Sequence, residues 1–188
     1  PARTFWTSFE AADPPLALGP ADSPRLSVDG GPPKGAALTA KPEVGFSGLR
    51  SLRYEGIGGG EQQAQVFNVD IAVGKDSELS YKVFPLSAAN QSCQPGQPAV
   101  SPLDNLRNAS TYVAIDLLFD DGSRLSQHAP LDRHGFALSA RGQGQARLLY
   151  PDQWNAVASR IGEVAAGRRI RQILVVHDGD RGLAYRGY

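Results

Sequence analysis

The apolar residues of this chain fall into short runs, and the clearest lies in residues 112–132. Val113, Ile115, Leu117 and Phe119 occupy every second position, and Asp120-Asp121-Gly122 follows. That spacing gives a strand one apolar face, because successive side chains of an extended backbone point to opposite sides. Asp-Gly supplies the positive φ angles of a tight type I′ turn. With alternation resuming at Ser123 and Leu125, the segment Tyr112–Asp132 is predicted to be a β-hairpin.

The same period recurs elsewhere. Gln65–Val73 sets Phe67, Val69, Ile71 and Val73 on one face, with Asn68 and Asp70 on the other, and Ser77–Pro85 does likewise with Leu79, Tyr81, Val83 and Pro85. Further strands are expected near Arg147–Tyr150 and in Trp154–Ile161. Ile170–His177 is almost continuously apolar, the pattern of a strand buried on both faces. Helical character is confined to Glu163–Arg169, Gly56–Gly60 reads as a turn, and residues 11–43 and 86–110 read as long loops. Short strands separated by frequent turn signals predict an all-β fold, an antiparallel β-sandwich or jelly roll. It should form one module over residues 1–188, with Val113, Ile115, Leu117, Phe119, Ile170, Ile173 and Val175 in its core.

Charge narrows the partners. Lys+Arg and Asp+Glu both number 19, so the net charge is zero and no electrostatic footprint for nucleic acid exists. No apolar run approaches the ~18 residues of a membrane span. Neither nucleic acid nor a membrane is therefore expected as a partner. The single cysteine, Cys93, reads as a free thiol, since it has no partner for an internal disulfide or a Cys/His zinc site. Lacking an initiating Met and a leader pattern, the chain reads as a piece of a longer polypeptide.

Candidate chemistry is sparse. Ser, His and Asp are present, but Gly45-Phe46-Ser47-Gly48 misses the spacing of a nucleophile elbow. His128 and His134 flank the Leu131-Asp132 turn and read as loop residues, while His177 ends a buried strand and is expected to be hydrogen-bonded there. No catalytic residue is assigned, and the chain reads as a non-enzyme; a small hydrolase using His128 or His134 with Asp132 is the competing reading. Asp178-Gly179-Asp180 lacks the other ligands of a calcium loop. Glu10, beside Phe9 and followed by Asp13, offers the hard oxygens that calcium prefers. The alternative for Glu10 is a strand-end carboxylate paired with an arginine. Trp6, Tyr54, Tyr81, Tyr150 and Trp154 would suit the apolar face of a sugar ring if exposed, and otherwise belong to the core.

Six short motifs share an order. They are Phe5-Trp6-Thr7-Ser8-Phe9-Glu10-x-x-Asp13-Pro14, Ser51-Leu52-Arg53-Tyr54-x-Gly56, Leu79-Ser80-Tyr81-x-Val83-Phe84-Pro85, Ala114-Ile115-Asp116-Leu117-x-Phe119-x-Asp121-Gly122, Asp152-Gln153-Trp154-Asn155-x-Val157 and Ala166-Gly167-Arg168-x-Ile170. Together they resemble the accessory domain N-terminal to family-92 glycoside hydrolases, which are exo-acting α-mannosidases. The resemblance implies a galactose-binding-like β-sandwich, a secreted protein, and catalysis elsewhere in the polypeptide. It implies a glycan, or the catalytic domain of the same polypeptide, as partner, with Trp6, Tyr54 and Trp154 as ligand-binding residues. A purely structural spacer without a ligand is the alternative. It also implies a structural calcium held through Glu10 and Asp13, completed by an Asp pair in a last strand that would follow Tyr188.

Overall fold

The computed structural model describes residues 5–19, 24–29, 50–87 and 108–188. Cys93, the Gly45–Gly48 segment and most of the 86–110 loop lie outside these residues. Among the described residues eight strands are formed: β1 (Arg25–Asp29), β2 (Ser51–Ile57), β3 (Gly60–Ala72), β4 (Leu79–Val83), β5 (Val113–Phe119), β6 (Asn155–Ser159), β7 (Arg169–Gly179) and β8 (Ala184–Gly187). Two short helices, α1 (Ala140–Ala146) and α2 (Gly162–Ala165), and two 3-10 turns, Ala109–Thr111 and Leu125–His128, complete the elements. The fold is all-β. Every strand pair is antiparallel, in sheets ordered β1-β2-β8, β3-β7-β5 and β4-β6.

β7 explains its own sequence. It lies between β3 and β5, and over Leu174–His177 both of its faces are buried. Ile170 and Val175 enter the main core, with Ile173 packed against it, whereas Leu174 and Val176 meet Ala114 and Ala140 on the opposite side. β5 behaves similarly: Val113, Leu117 and Phe119 are buried in the main core and Ile115 packs against it. That core also takes Leu52 and Tyr54 from β2, Val66 and Phe67 from β3, Val83 from β4, Val157 from β6 and Tyr185 from β8, so all three sheets share it. β3 alternates as expected, except that a register shift between Gln65 and Phe67 leaves both Val66 and Phe67 buried. One extra residue in one strand breaks the period of two.

The structure departs from the sequence pattern in four places. The hairpin over Tyr112–Asp132 has only its first arm. Its turn holds a single positive φ, 82° at Gly122, and Phe119 N–H donates to Ser123 O at 2.9 Å. A type I′ turn needs two such residues, so this is a three-residue turn ending in a left-handed glycine. After one bridge, Leu118 to Arg124, the chain winds into the Leu125–His128 turn. The buried carboxylate of Asp116 drives this, accepting from Ser126 N at 3.0 Å and from Ser126 Oγ at 2.6 Å, while Leu125 seals into the core. β5 finds its partner in β7 instead.

Arg147–Tyr150 is not a strand. It follows helix α1, whose C-cap is Arg147 in the left-handed region at φ 55°. Gly142 and Gly144 weaken the intrinsic helix propensity of this stretch. Tertiary contact supplies what propensity lacks: a Cβ at Gly144 would stand 2.3 Å from the ring of Tyr112, so only glycine lets the helix close on β5. Third, β1 forms within residues 11–43, where loop was expected, by pairing with β2. Fourth, Gly56 belongs to β2, opposite Tyr185, rather than to a turn. The expected helix over Glu163–Arg169 is α2, shifted toward Gly162.

Candidate functional site

A cleft of about 240 Å³ opens between the segment after Pro130 and the segment before β6. Asp132, His134, Gln143, Tyr150 and Trp154 line it, with Arg133 at its side. The first wall is a tight loop. Leu131 bridges Ala137, and Asp132 N–H donates to Phe136 O at 2.7 Å. The Asp132 carboxylate organises the loop from inside, accepting His134 N at 2.8 Å and Phe136 N at 3.0 Å through Oδ1 and Gln143 Nε2 at 2.9 Å through Oδ2. An aspartate bonding backbone a few residues onward is the ordinary Asx-turn device. Burial pushes its carboxyl up, yet the hydrogen bonds from Gln143, Phe136 and His134 outweigh burial and hold it below the usual carboxylate range. Arg133 N–H donates to Ala158 O at 2.9 Å, tying the loop to β6.

The second wall is built by Asn155. Its Oδ1 accepts Tyr150 N at 2.9 Å, and its Nδ2 donates to Tyr150 O and Gln153 O, each at 2.9 Å. Those bonds fold the Tyr150–Trp154 turn, in which Asp152 has φ 60°. The Trp154 ring stands edge-on to buried Phe84, centroids 5.5 Å apart at 74°. Tyr150 is 62 % exposed at the rim. The cleft therefore presents an aromatic side and a hydrogen-bonding side, both fixed by neighbouring polar groups.

The sequence-derived ligand residues do not meet there. Trp154 lines the cleft, but Trp6 lies outside it on the N-terminal segment, 45 % exposed. Tyr54 is core: it is 3 % exposed, its hydroxyl donates to Ser110 O at 2.8 Å, and its ring stacks near Tyr185. No face of Tyr54 is open to a sugar. Tyr150 takes the second aromatic position, and Gln143 joins from α1. The sequence carried no signal for Gln143, because the helix that aims it was not legible.

Glu10 and Asp13 close a loop. Asp13 Oδ2 accepts from Ser8 N at 2.7 Å, Ser8 Oγ at 3.0 Å and Glu10 N at 3.0 Å, and the Ser8 N–H above all holds the carboxyl below its usual range. The loop sets Phe9 at φ 63° and lays Phe5 and Phe9 on Phe67. Glu10 Oε1 accepts the backbone N–H of Arg50 at 2.9 Å. Among the described residues, no group of three or more His, Cys, Asp or Glu is placed to hold a metal ion.

The histidines have other occupations. His128 Nε2 lies 2.9 Å from Ser123 Oγ, but that hydroxyl also approaches Asp121 Oδ1 at 2.6 Å, where its proton is held by a carboxylate. His134 meets Asp132 through its backbone N–H. His177 is fully buried, stacked on Tyr185 at 3.5 Å, with Nε2 2.8 Å from Ala109 O. No protein-family model matches the chain, and no curated protein sequence does.

Proposed function

We propose that this chain is a non-catalytic carbohydrate-binding module, the accessory part of a secreted glycoside hydrolase of the α-mannosidase type, with its sheets arranged as a galactose-binding-like sandwich. The cleft between Asp132 and Trp154 carries the reading. An indole and a phenol ring on one wall offer broad apolar surface with a polar edge. Opposite them, the exposed His134 and Arg133 supply hydrogen-bonding groups for hydroxyls, on a loop that the buried Asp132 and Gln143 hold in place. A sugar ring has this same division between an apolar C–H face and polar edges. The walls are held by buried hydrogen bonds, so little ordering would be needed on binding. The six-motif resemblance points to the same class of ligand, and calcium enters the proposal only through Glu10 and Asp13.

A glycan array probed with the purified chain, with and without calcium, tests the reading. Binding that survives chelator and is weakened in both Trp154→Ala and Tyr150→Ala is the expected result. Unchanged binding in both variants, or no binding by the native chain, would refute it. One observation favours a packing module instead. Leu131 and Phe136 are exposed on the loop that forms the cleft wall. A catalytic domain covering that loop would bury both, and a chain extended past Tyr188 would then protect them from solvent.

A further inference from the structure

The outer face of the β3-β7-β5 sheet is half covered. Under α1, Ala140 closes over Ala114, Leu174 and Val176. Beside that cover lies an open groove of about 300 Å³, whose floor is formed by Gln63 and Gln65 of β3, Gln172 and Leu174 of β7, and Leu118 of β5. The register builds the floor: Gln65 stands opposite Leu174, and Gln172 opposite Leu118. Each rung therefore sets an amide beside a leucine.

The polar groups are already aimed. Gln65 Nε2 donates to Ala17 O at 2.8 Å and to Asn68 Oδ1 at 3.0 Å, and Gln172 Nε2 donates to the same Asn68 oxygen at 3.4 Å. Arg124, on the groove wall, donates to Gln63 Oε1 at 3.1 Å and Glu61 Oε1 at 2.6 Å, while its backbone N–H donates to Gln127 Oε1 at 2.7 Å. Among the described residues this leaves two amide acceptors, Oε1 of Gln65 and Gln172, and two amide donors, Nε2 of Gln63 and Gln127, without protein partners. The guanidinium is balanced by Glu61 and by Asp116 at 3.7 Å, so the groove carries no positive charge to attract an anion. No aromatic ring lines it, which removes the platform a flat heterocycle would use. Paired neutral donors and acceptors over a leucine floor match a polyhydroxylated ring, and the volume lies at the small end of ligand sites.

We propose that this groove is a second saccharide site, taking one neutral hexose unit through the glutamine amides. The assignment rests on the glycan-binding reading for its ligand class, yet it uses none of the residues of the Tyr150–Trp154 cleft. Titration of the 15N-labelled chain with the methyl α-glycosides of mannose, glucose and galactose, followed by amide-resolved NMR, tests it. At least one glycoside should give saturable shifts at the side-chain amides of Gln63, Gln65, Gln127 and Gln172. Those shifts should persist in Trp154→Ala. In Gln172→Ala the Kd should rise about tenfold, as expected for the loss of a net hydrogen bond or two. Because Gln172 is partly exposed, the circular dichroism spectrum should stay native. Silence at the four amides with all three sugars, or shifts that disappear in Trp154→Ala, would overturn the second site. Loss of array binding in Trp154→Ala alone bears only on the first.

Discussion

Acidification should unfold this protein early, and His177 is the reason. Its ring is fully buried between Tyr185 and the backbone of Ala109, and its Nδ1 has no hydrogen-bond partner among the described residues. Burial away from water disfavours the imidazolium and pushes the group down from 6.5 to about 4, against a smaller opposing effect of the Ala109 carbonyl. The unfolded chain thus takes up a proton near pH 6.5 while the folded chain refuses it until about pH 4. Between those values the unfolded state binds more protons, so stability rises with pH and falls on acidification. At about 1.4 kcal/mol per pH unit, the full difference is worth about 3 kcal/mol, most of which is lost between pH 7 and pH 4.5. For a chain of this length that is about 5 to 10 °C in melting temperature. The carboxylates held low, Glu55 and Asp132 among them, begin to lose their contribution about one pH unit above their ordinary values of 4.5 and 3.8, so only the part of the interval above about pH 5.5 is clear of them. Urea unfolding at half-unit pH steps would measure the slope. His177→Gln can keep a donor for Ala109 O and carries no charge, so it should be less stable at pH 7 but nearly flat from about pH 6.5 to about pH 5.5. Parallel pH dependences in the two proteins would refute the reasoning.

Other outcomes are equally open to measurement. Leu125→Ala should cost about 2–5 kcal/mol in urea unfolding, because it empties a fully buried leucine site. Asp132→Ala should destabilise by about 1–3 kcal/mol, by removing the acceptor shared by Gln143 Nε2 and the His134 and Phe136 N–H groups, and weaken glycan binding through the displaced loop. Saturating calcium should move the melting temperature by no more than about 2 °C, since both Glu10 and Asp13 already serve as acceptors within the protein. A larger rise abolished by Glu10→Gln would assign these two carboxylates a metal role. Gly144→Ala should disrupt α1 and the Gln143 side of the cleft, visible as lost protection of the Gln143 amide in hydrogen exchange, because its Cβ would collide with Tyr112.

What the sequence determined by itself is the set of strong strands. β3, β4, β5 and β7 were legible because each carries a local period, of two where one face is buried and continuous where both are. The α2 turn was legible from its bracketing glycines. What only the tertiary structure decided are the elements whose stability comes from distant partners. β1 has no pattern of its own and exists through β2. Helix α1 contains two glycines and is held by Ser139, whose Oγ accepts Gly142 N at 3.1 Å, and by Tyr112 against Gly144. The second arm of the hairpin failed because Asp116, which alternation placed on a solvent face, is buried and captures Ser126. The cleft shares this origin. Trp154 and Tyr150 were visible as aromatics, but nothing local distinguishes them from Tyr54, which is spent on the core. Exposure depends on which neighbours close over a ring, and that is a property of three sheets packing together rather than of any one segment.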